Sequence, residues 1–255
     1  MRILVTNDDG VDARGIEELV SALSQLAQVY VFVPDSQRSA CGHGITVRAP
    51  IKVEEIQYPC ATRAWTISGT PADCVKLGLR ILDNEDIFVD MLFSGINHGA
   101  NLGTDTFYSG TVSGAIEGVI NRIPSVAVSI DSHHPSHFDA ACRIAVQTLS
   151  LAVENLDEGT VLNINVPDMP WEELKGIRIT RLGPREYEQW FNIEDDDNGD
   201  THYYYAGTPV VYEGLPEDFD VMAVQRGFIS ITPLHLDLTS HGKMDELKTW
   251  AYVID

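Results

Sequence analysis

The chain is short of positive charge. Seventeen Lys and Arg stand against 38 Asp and Glu, a formal net charge of −21 over 255 residues. A surface of that sign is poorly suited to displacing the counterions of a phosphate backbone, which argues against broad nucleic-acid binding. It argues equally against docking on anionic membranes. A phosphate-bearing small molecule is compatible only where a metal ion or oriented backbone N–H groups offset the field. Solubility accounts for most of the acids. Long apolar runs are missing as well, and none approaches the ~20 residues that span a bilayer. The opening residues, Met1-Arg2-Ile3-Leu4-Val5, read directly as a strand with no room for a leader, so a cytoplasmic protein is expected. Cys41, Cys60, Cys74 and Cys142 show neither C-x-x-C nor zinc-type spacing and read as free thiols in a reducing compartment. No G-x-G-x-x-G follows the first strand, which argues against a dinucleotide oxidoreductase. Internal repeats and low-complexity linkers are also absent.

What is present is a core-sized supply of apolar residues, 44% of the chain. Ile3 to Thr6 reads as a buried strand, and Ile16, Leu19, Val20, Leu23 and Leu26 recur at helical spacing. Val29 to Val33, Trp65 to Ile67, Ile87 to Phe93, Ser125 to Ser129 and Val161 to Val166 read as further strands. Between them lie helical patterns: Val75, Leu79 and Leu82 after a Thr70-Pro71 start; Val112, Ala115, Ile116, Val119 and Ile120; and Ala141, Ile144, Ala145, Leu149 and Ala152. This alternation predicts an α/β fold, a mostly parallel sheet with helices on both faces, over residues 1–166. Beyond Pro167 the periodicity fades into short β-like pieces at Ile177 to Thr180, Tyr203 to Tyr205 and Ile229 to Thr232. Residues 167–255 therefore read as an extension that completes the domain, with a hairpin arm for oligomer contacts. The acidic run Glu194 to Asp200 fails calcium-loop spacing, because its twelfth position is Tyr205 rather than Glu, and reads as a solvated turn.

Chemistry concentrates in three polar loops that leave strands at one edge, where open parallel sheets bind ligands. The first is Asn7-Asp8-Asp9-Gly10. The second runs from Asp35 to Gly44 with Arg38, Ser39 and His43. The third is Ser94 to Gly103, containing Asn97 and His98. A single Asp after a strand is commonly a helix cap; two in succession are harder to explain that way. If both carboxylates face one point about 4 Å apart, their repulsion is ~4 kcal/mol at an effective dielectric near 20, and a cation removes it. Two carboxylates, a hydroxyl and a side-chain amide are all oxygen donors, which suits Mg²⁺ or Mn²⁺. Zinc prefers His and Cys, and His43 and His98 keep the metal's identity open. Tyr108-Ser109-Gly110-Thr111 then precedes a helix, where unpaired N–H groups and two hydroxyls suit an anion. Simple capping by Ser or Thr is the plain alternative.

Six strings together resemble the SurE (survival protein E) family. They are ILVTNDDG from Ile3, VPDSQRS from Val33 with Ile45-Thr46, SGTPADCV from Ser68, SGINHGANLG from Ser94, YSGTVSGAIEG from Tyr108 and SITPL from Ser230. The resemblance implies a Rossmann-like core and a divalent-metal-dependent phosphomonoesterase, a 5′-nucleotidase. Its implied substrates are nucleoside 5′- and 3′-monophosphates, with polyphosphate for some members. One metal ion per subunit is implied, on Asp8, Asp9, Ser39 and Asn97, with Asp8 or Asp9 as the catalytic base. Phosphate is implied on Ser109, Gly110 and Thr111. So are a homodimer or homotetramer and C-terminal arms exchanged between subunits. Where many relatives carry Ser-Asn, this chain has Gly42-His43, and residues 183–220 match loosely. His235 and Asp237 are candidates for a leaving-group proton, against a structural role in the arm. The rivals are a nucleotide sensor that releases no phosphate, and a metal hydrolase acting on an ester or amide.

Overall fold

The computed structural model describes residues 1–253. The chain runs through β1 (Arg2–Thr6), α1 (Arg14–Leu23), β2 (Gln28–Pro34), β3 (Val53–Ile56), β4 (Arg63–Ile67), α2 (Pro71–Asp83) and β5 (Met91–His98). A 3-10 turn (Gly103–Phe107) leads into α3 (Gly110–Ile120), followed by β6 (Ser125–Ile130), α4 (Phe138–Asn155) and β7 (Val161–Val166). From β4 through β2, β1, β5 and β6 to β7 the strands are parallel, and β3 closes one edge antiparallel to β4. Side chains alternate across the sheet as the pleat requires. Ile3 and Val5 join the core under α1 and α4, while Leu4 joins the core under α2 and α3. On that second face Phe32 and Trp65 stack with ring centres 4.3 Å apart.

The chain builds outward from β1 through β2 to β4, then returns to the other side of β1 with β5. The order therefore reverses between β1 and β5. At such a switch point the loops from adjacent strand ends diverge to opposite faces and leave a crevice. The loop carrying Asp8-Asp9 and the end of β5 carrying Asn97 flank it.

The second half of the chain contributes β8 (Ile177–Ile179), β9 (Tyr187–Glu188), β10 (Phe191–Asp195), β11 (Thr201–Tyr205), β12 (Thr208–Pro209), α5 (Asp220–Gln225), β13 (Ile229–Leu234) and α6 (His241–Leu247). Strand β13 pairs antiparallel with β7 and carries β8 on its outer side, extending the sheet to nine strands. Strands β10 and β11 form an exposed hairpin, with β9 and β12 paired at its base. The acidic run closes that hairpin as an exposed turn. Among the described residues no helix is long and apolar enough to cross a membrane.

Several sequence expectations need correction. Leu26 lies beyond α1 and is 50% exposed, and Ile120 ends α3 at 49% exposed, so neither belongs to a buried stripe. Strand β3 has no apolar signature because it is an exposed edge. The strand expected at Ile87 to Phe93 instead spans Met91–His98. Ile87 to Val89 only approaches the sheet, and the Ser94-Gly95-Ile96-Asn97-His98 string, read as loop, still pairs with β6 across a bulge. At Gly95 the φ is +134°, and a Cβ would lie 2.2 Å from the Val128 carbonyl oxygen, so only glycine fits this strand.

Candidate active site

The Asn7 side chain sets the first loop by donating its amide N–H to the Gly10 carbonyl at 2.8 Å. Helix α1 does not begin until Arg14, and its capping position is Ala13, without a side-chain cap. Neither Asp8 nor Asp9 caps it, so the ordinary explanation of a post-strand aspartate fails for both.

Asp8 is 5% exposed. The Thr111 hydroxyl donates to its Oδ1, and the Arg38 N–H donates to its backbone carbonyl at 2.7 Å. Burial, with the charge of Asp9 adding to it, raises the Asp8 pKa from 3.8 to about 6. Asp9 is half-buried, and its Oδ2 accepts the His98 N–H at 3.1 Å. Burial raises its pKa too, against that hydrogen bond. Among the described residues no Lys, Arg or His side chain forms an ion pair with either aspartate. Both carboxylates thus stand without a cationic partner, in a place where ionisation is costly.

A cavity of about 330 Å³ opens here, lined by Asp8, Ser39, Asn97, Ser109, Tyr108, His133 and Tyr187 among others. Asp9 does not line it, nor do Gly110 and Thr111. The Asn97 amide donates to the Gly99 carbonyl at 2.7 Å, which leaves its Oδ1 free. Ser39 Oγ accepts from Gln37 at 2.9 Å. The free atoms are thus carboxylate, hydroxyl and amide oxygens, a donor set that fits a hard divalent cation. Among the described residues no group of three or more His, Cys, Asp and Glu side chains converges to hold a metal, so a zinc-type set is not formed. His43 has left for another partner: its Nε2 lies 2.9 Å from Glu117 Oε2.

Ser109 caps α3, its Oγ accepting the Val112 N–H at 3.0 Å, so the plain capping role holds for that oxygen. Its own hydroxyl proton remains to donate. The Thr111 hydroxyl is spent on Asp8. Within the described chain the Gly110 N–H has no backbone acceptor, as expected at a first helical turn, while the Thr111 N–H is directed at the Asp8 carboxylate and favours its charged form. A Cβ at Gly110 would sit 2.7 Å from Asp8 Cβ. The first turn of α3 and the Asp8 carboxylate are therefore in direct contact.

The second loop is held at several points. The Gly42 N–H donates to the Tyr108 carbonyl at 2.9 Å. Thr46 gives its hydroxyl to Asp73 at 2.7 Å, and Thr70 gives its hydroxyl to the Gly44 carbonyl at 2.7 Å. His235 and Asp237 lie elsewhere, lining a separate cavity of about 940 Å³ with Arg122 and His241.

Sequence reasoning missed one cluster. Asp105 Oδ2 accepts from Arg185 Nε at 2.9 Å and from the Tyr187 hydroxyl. Tyr187 falls in a segment with no periodicity, so nothing local marked it.

A family model described as survival protein SurE matches residues 3–189. A 5′-nucleotidase SurE from Syntrophomonas wolfei is 47% identical over 97% of this chain and 94% of the relative. Another, from Pelotomaculum thermopropionicum, is 46% identical with the same shares covered. The crystal structure of SurE protein from Aquifex aeolicus superposes with a TM-score of 0.85 at 40% identity, covering 97% of this chain and 98% of that one. With the model covering most of the sequence and relatives matched nearly end to end, the chain belongs to the SurE family.

Proposed function

We propose that this protein is a 5′-nucleotidase that hydrolyses nucleoside monophosphates with the help of one divalent cation, Mg²⁺ or Mn²⁺. Asp8, Asp9, Ser39 and Asn97 would hold the ion, which when bound would supply charge neutralisation for the phosphoryl group and a lowered pKa for water. The Gly110 and Thr111 N–H groups and the Ser109 hydroxyl receive the non-bridging phosphoryl oxygens, at the positive end of α3. Thr111 fixes the rotamer of Asp8 through its hydroxyl, while the His98 N–H fixes Asp9. Asp8 or Asp9 accepts the proton of the attacking water. The new O–P bond forms in line as the P–O5′ bond breaks, and the nucleoside oxygen takes up a proton from solvent as it leaves. Cleavage of 3′-monophosphates and of polyphosphate by the same site, and assembly into a homodimer or homotetramer, belong to the same proposal.

The observation that carries this reading is the contact between the Asp8 carboxylate, buried without a cationic partner, and the first turn of α3 beside one crevice, in a chain whose close relatives bear the name 5′-nucleotidase. Phosphate release should be measured from AMP, 3′-AMP and a short polyphosphate, with Mg²⁺, with Mn²⁺ and with EDTA. Release from AMP that needs a divalent ion, and that Asp9→Asn lowers at least ~100-fold, is expected. Nucleotide binding without phosphate release under any cation would instead make the protein a sensor, and full activity in EDTA would remove the metal.

A further inference from the structure

The carboxylates and the helix end account for one end of a nucleotide. The rest of the cavity lining has a different chemistry. Tyr187 and Tyr108 form part of it, with His133 beside them. The Tyr187 hydroxyl is already committed to Asp105, so what the side chain can offer the cavity is its ring. The ring is braced as well. Trp190 lies at 5.4 Å between ring centres, and the Arg185 guanidinium at 5.4 Å from the ring centre. Arg185 is only 14% exposed and is itself held by Asp105.

This brace is bolted to the phosphate end. Asp105 lies in the 3-10 turn between Asn97 and Ser109. The Thr104 hydroxyl donates to the Arg185 carbonyl at 3.2 Å. Asp220, fully buried, accepts the Gly103 N–H at 2.8 Å and the Gly183 N–H at 2.7 Å. A tyrosine that lies 90 residues from Asn97 in sequence, and further from Ser39 and Asp8, is thus fixed relative to them through Asp105, Arg185 and the buried Asp220.

We propose that Tyr187 is a specificity-determining residue that stacks against the nucleoside of the substrate, with Asp105 and Arg185 as positioning residues for its ring. The proposal rests on the nucleotidase reading and names the part of the site that distinguishes a nucleotide from other phosphate esters. A phosphate seated at the first turn of α3, beside Ser109, would leave the rest of the substrate in the cavity that Tyr108 and Tyr187 line. A ring with no free polar group selects planar bases without reading their edges, since every base has a π face. Purine nucleotides gain more from it than pyrimidine nucleotides because they offer more stacking area.

The test compares AMP with ribose 5-phosphate, which carries the same phosphate and sugar and no base. The readout is the ratio of kcat/KM for the two; where ribose 5-phosphate turns over too slowly, its inhibition constant against AMP supplies the comparison. Tyr187→Ala should lower the AMP to ribose 5-phosphate preference about tenfold or more, mainly through KM for AMP. Tyr187→Phe keeps the ring and loses only the bond to Asp105, and should retain most of the preference. Should Tyr187→Ala fail to fold, Tyr187→Leu tests the same ring. A preference unchanged in the Ala or Leu variant overturns the proposal, as does an equal loss on both substrates, which would mark a structural role. Wild-type enzyme that cleaves ribose 5-phosphate and no nucleotide would instead overturn the nucleotidase reading.

Discussion

Burial holds the Asp8 carboxyl at about 6 where an ordinary aspartate ionises near 3.8. A gap of that size corresponds to roughly 3 kcal/mol of stability lost when the group is charged at neutral pH. The sign follows from proton uptake. Between the two values the folded state binds the proton and the unfolded state does not, so the contribution of Asp8 rises as pH falls from about 6 toward 3.8. In EDTA, Asp8→Asn should therefore melt higher than wild type at pH 7, and the advantage should shrink toward pH 4. The same variant should lose nearly all phosphate release. Melting curves of both proteins across that range, without divalent ions, check the first claim, and an Asp8→Asn protein that melts lower at pH 7 would refute it. The aspartate pair was legible in the sequence because two charges directly after an apolar strand are costly in almost any environment. Tyr187 was not, since an aromatic residue in an aperiodic segment reads equally well as packing. The detour of His43 to Glu117 was illegible for a related reason: its buried partner is 74 residues away on the face of α3.

Helix α3 does two jobs at its first turn, and Gly110 is where they collide. Replacing glycine by alanine within a helix normally stabilises it by about 1 kcal/mol. Here the new Cβ would press on Asp8 Cβ at 2.7 Å and on Asp8 Oδ2 at 2.8 Å. Asp8 cannot swing away without losing the Thr111 hydroxyl. Gly110→Ala should therefore cost activity out of proportion to stability, with kcat/KM down at least ~10-fold. A steady-state assay paired with a thermal melt checks this; activity near wild type would show that the crevice yields more readily than its burial implies. The elements themselves were largely legible, because the parallel strands are buried on both faces and read as continuous apolar runs. What stayed hidden were pieces whose pattern answers to something else. Strand β3 is exposed at the edge, and the end of β5 is spelled with Gly, Asn and His because it must bend onto β6 and open the crevice at once.

At the scale of the molecule, the strand and helix alternation gave the parallel core, whereas the part played by residues 167–255 depended on long-range pairing that periodicity does not encode. Strand β13 reaches back to β7, and the β10–β11 hairpin stands away from the sheet. Phe191, Ile193, Tyr203 and Tyr205 share one face of that hairpin by register, with Tyr203 and Tyr205 opposite Ile193 and Phe191. All four are exposed in the single chain, Tyr205 at 85%. An isolated two-stranded hairpin is marginal in water, and an apolar face this dense is stable only when covered. A second copy of the chain is the simplest cover, consistent with the proposed assembly, and it must bring its own excess of acids with it. At a net charge of −21 per subunit, apolar contact has to outweigh repulsion that salt screens. Light scattering after size exclusion should give a multiple of the 28.2 kDa chain mass, more completely at ~0.5 M than at ~0.02 M salt. Ile193→Asp with Tyr203→Asp should reduce that mass while leaving the main melting transition in place, because the hairpin projects from the nine-stranded sheet instead of forming part of it. A wild-type protein that runs as a monomer at high salt, or a double variant whose mass is unchanged, would mean that this face is not what joins the subunits.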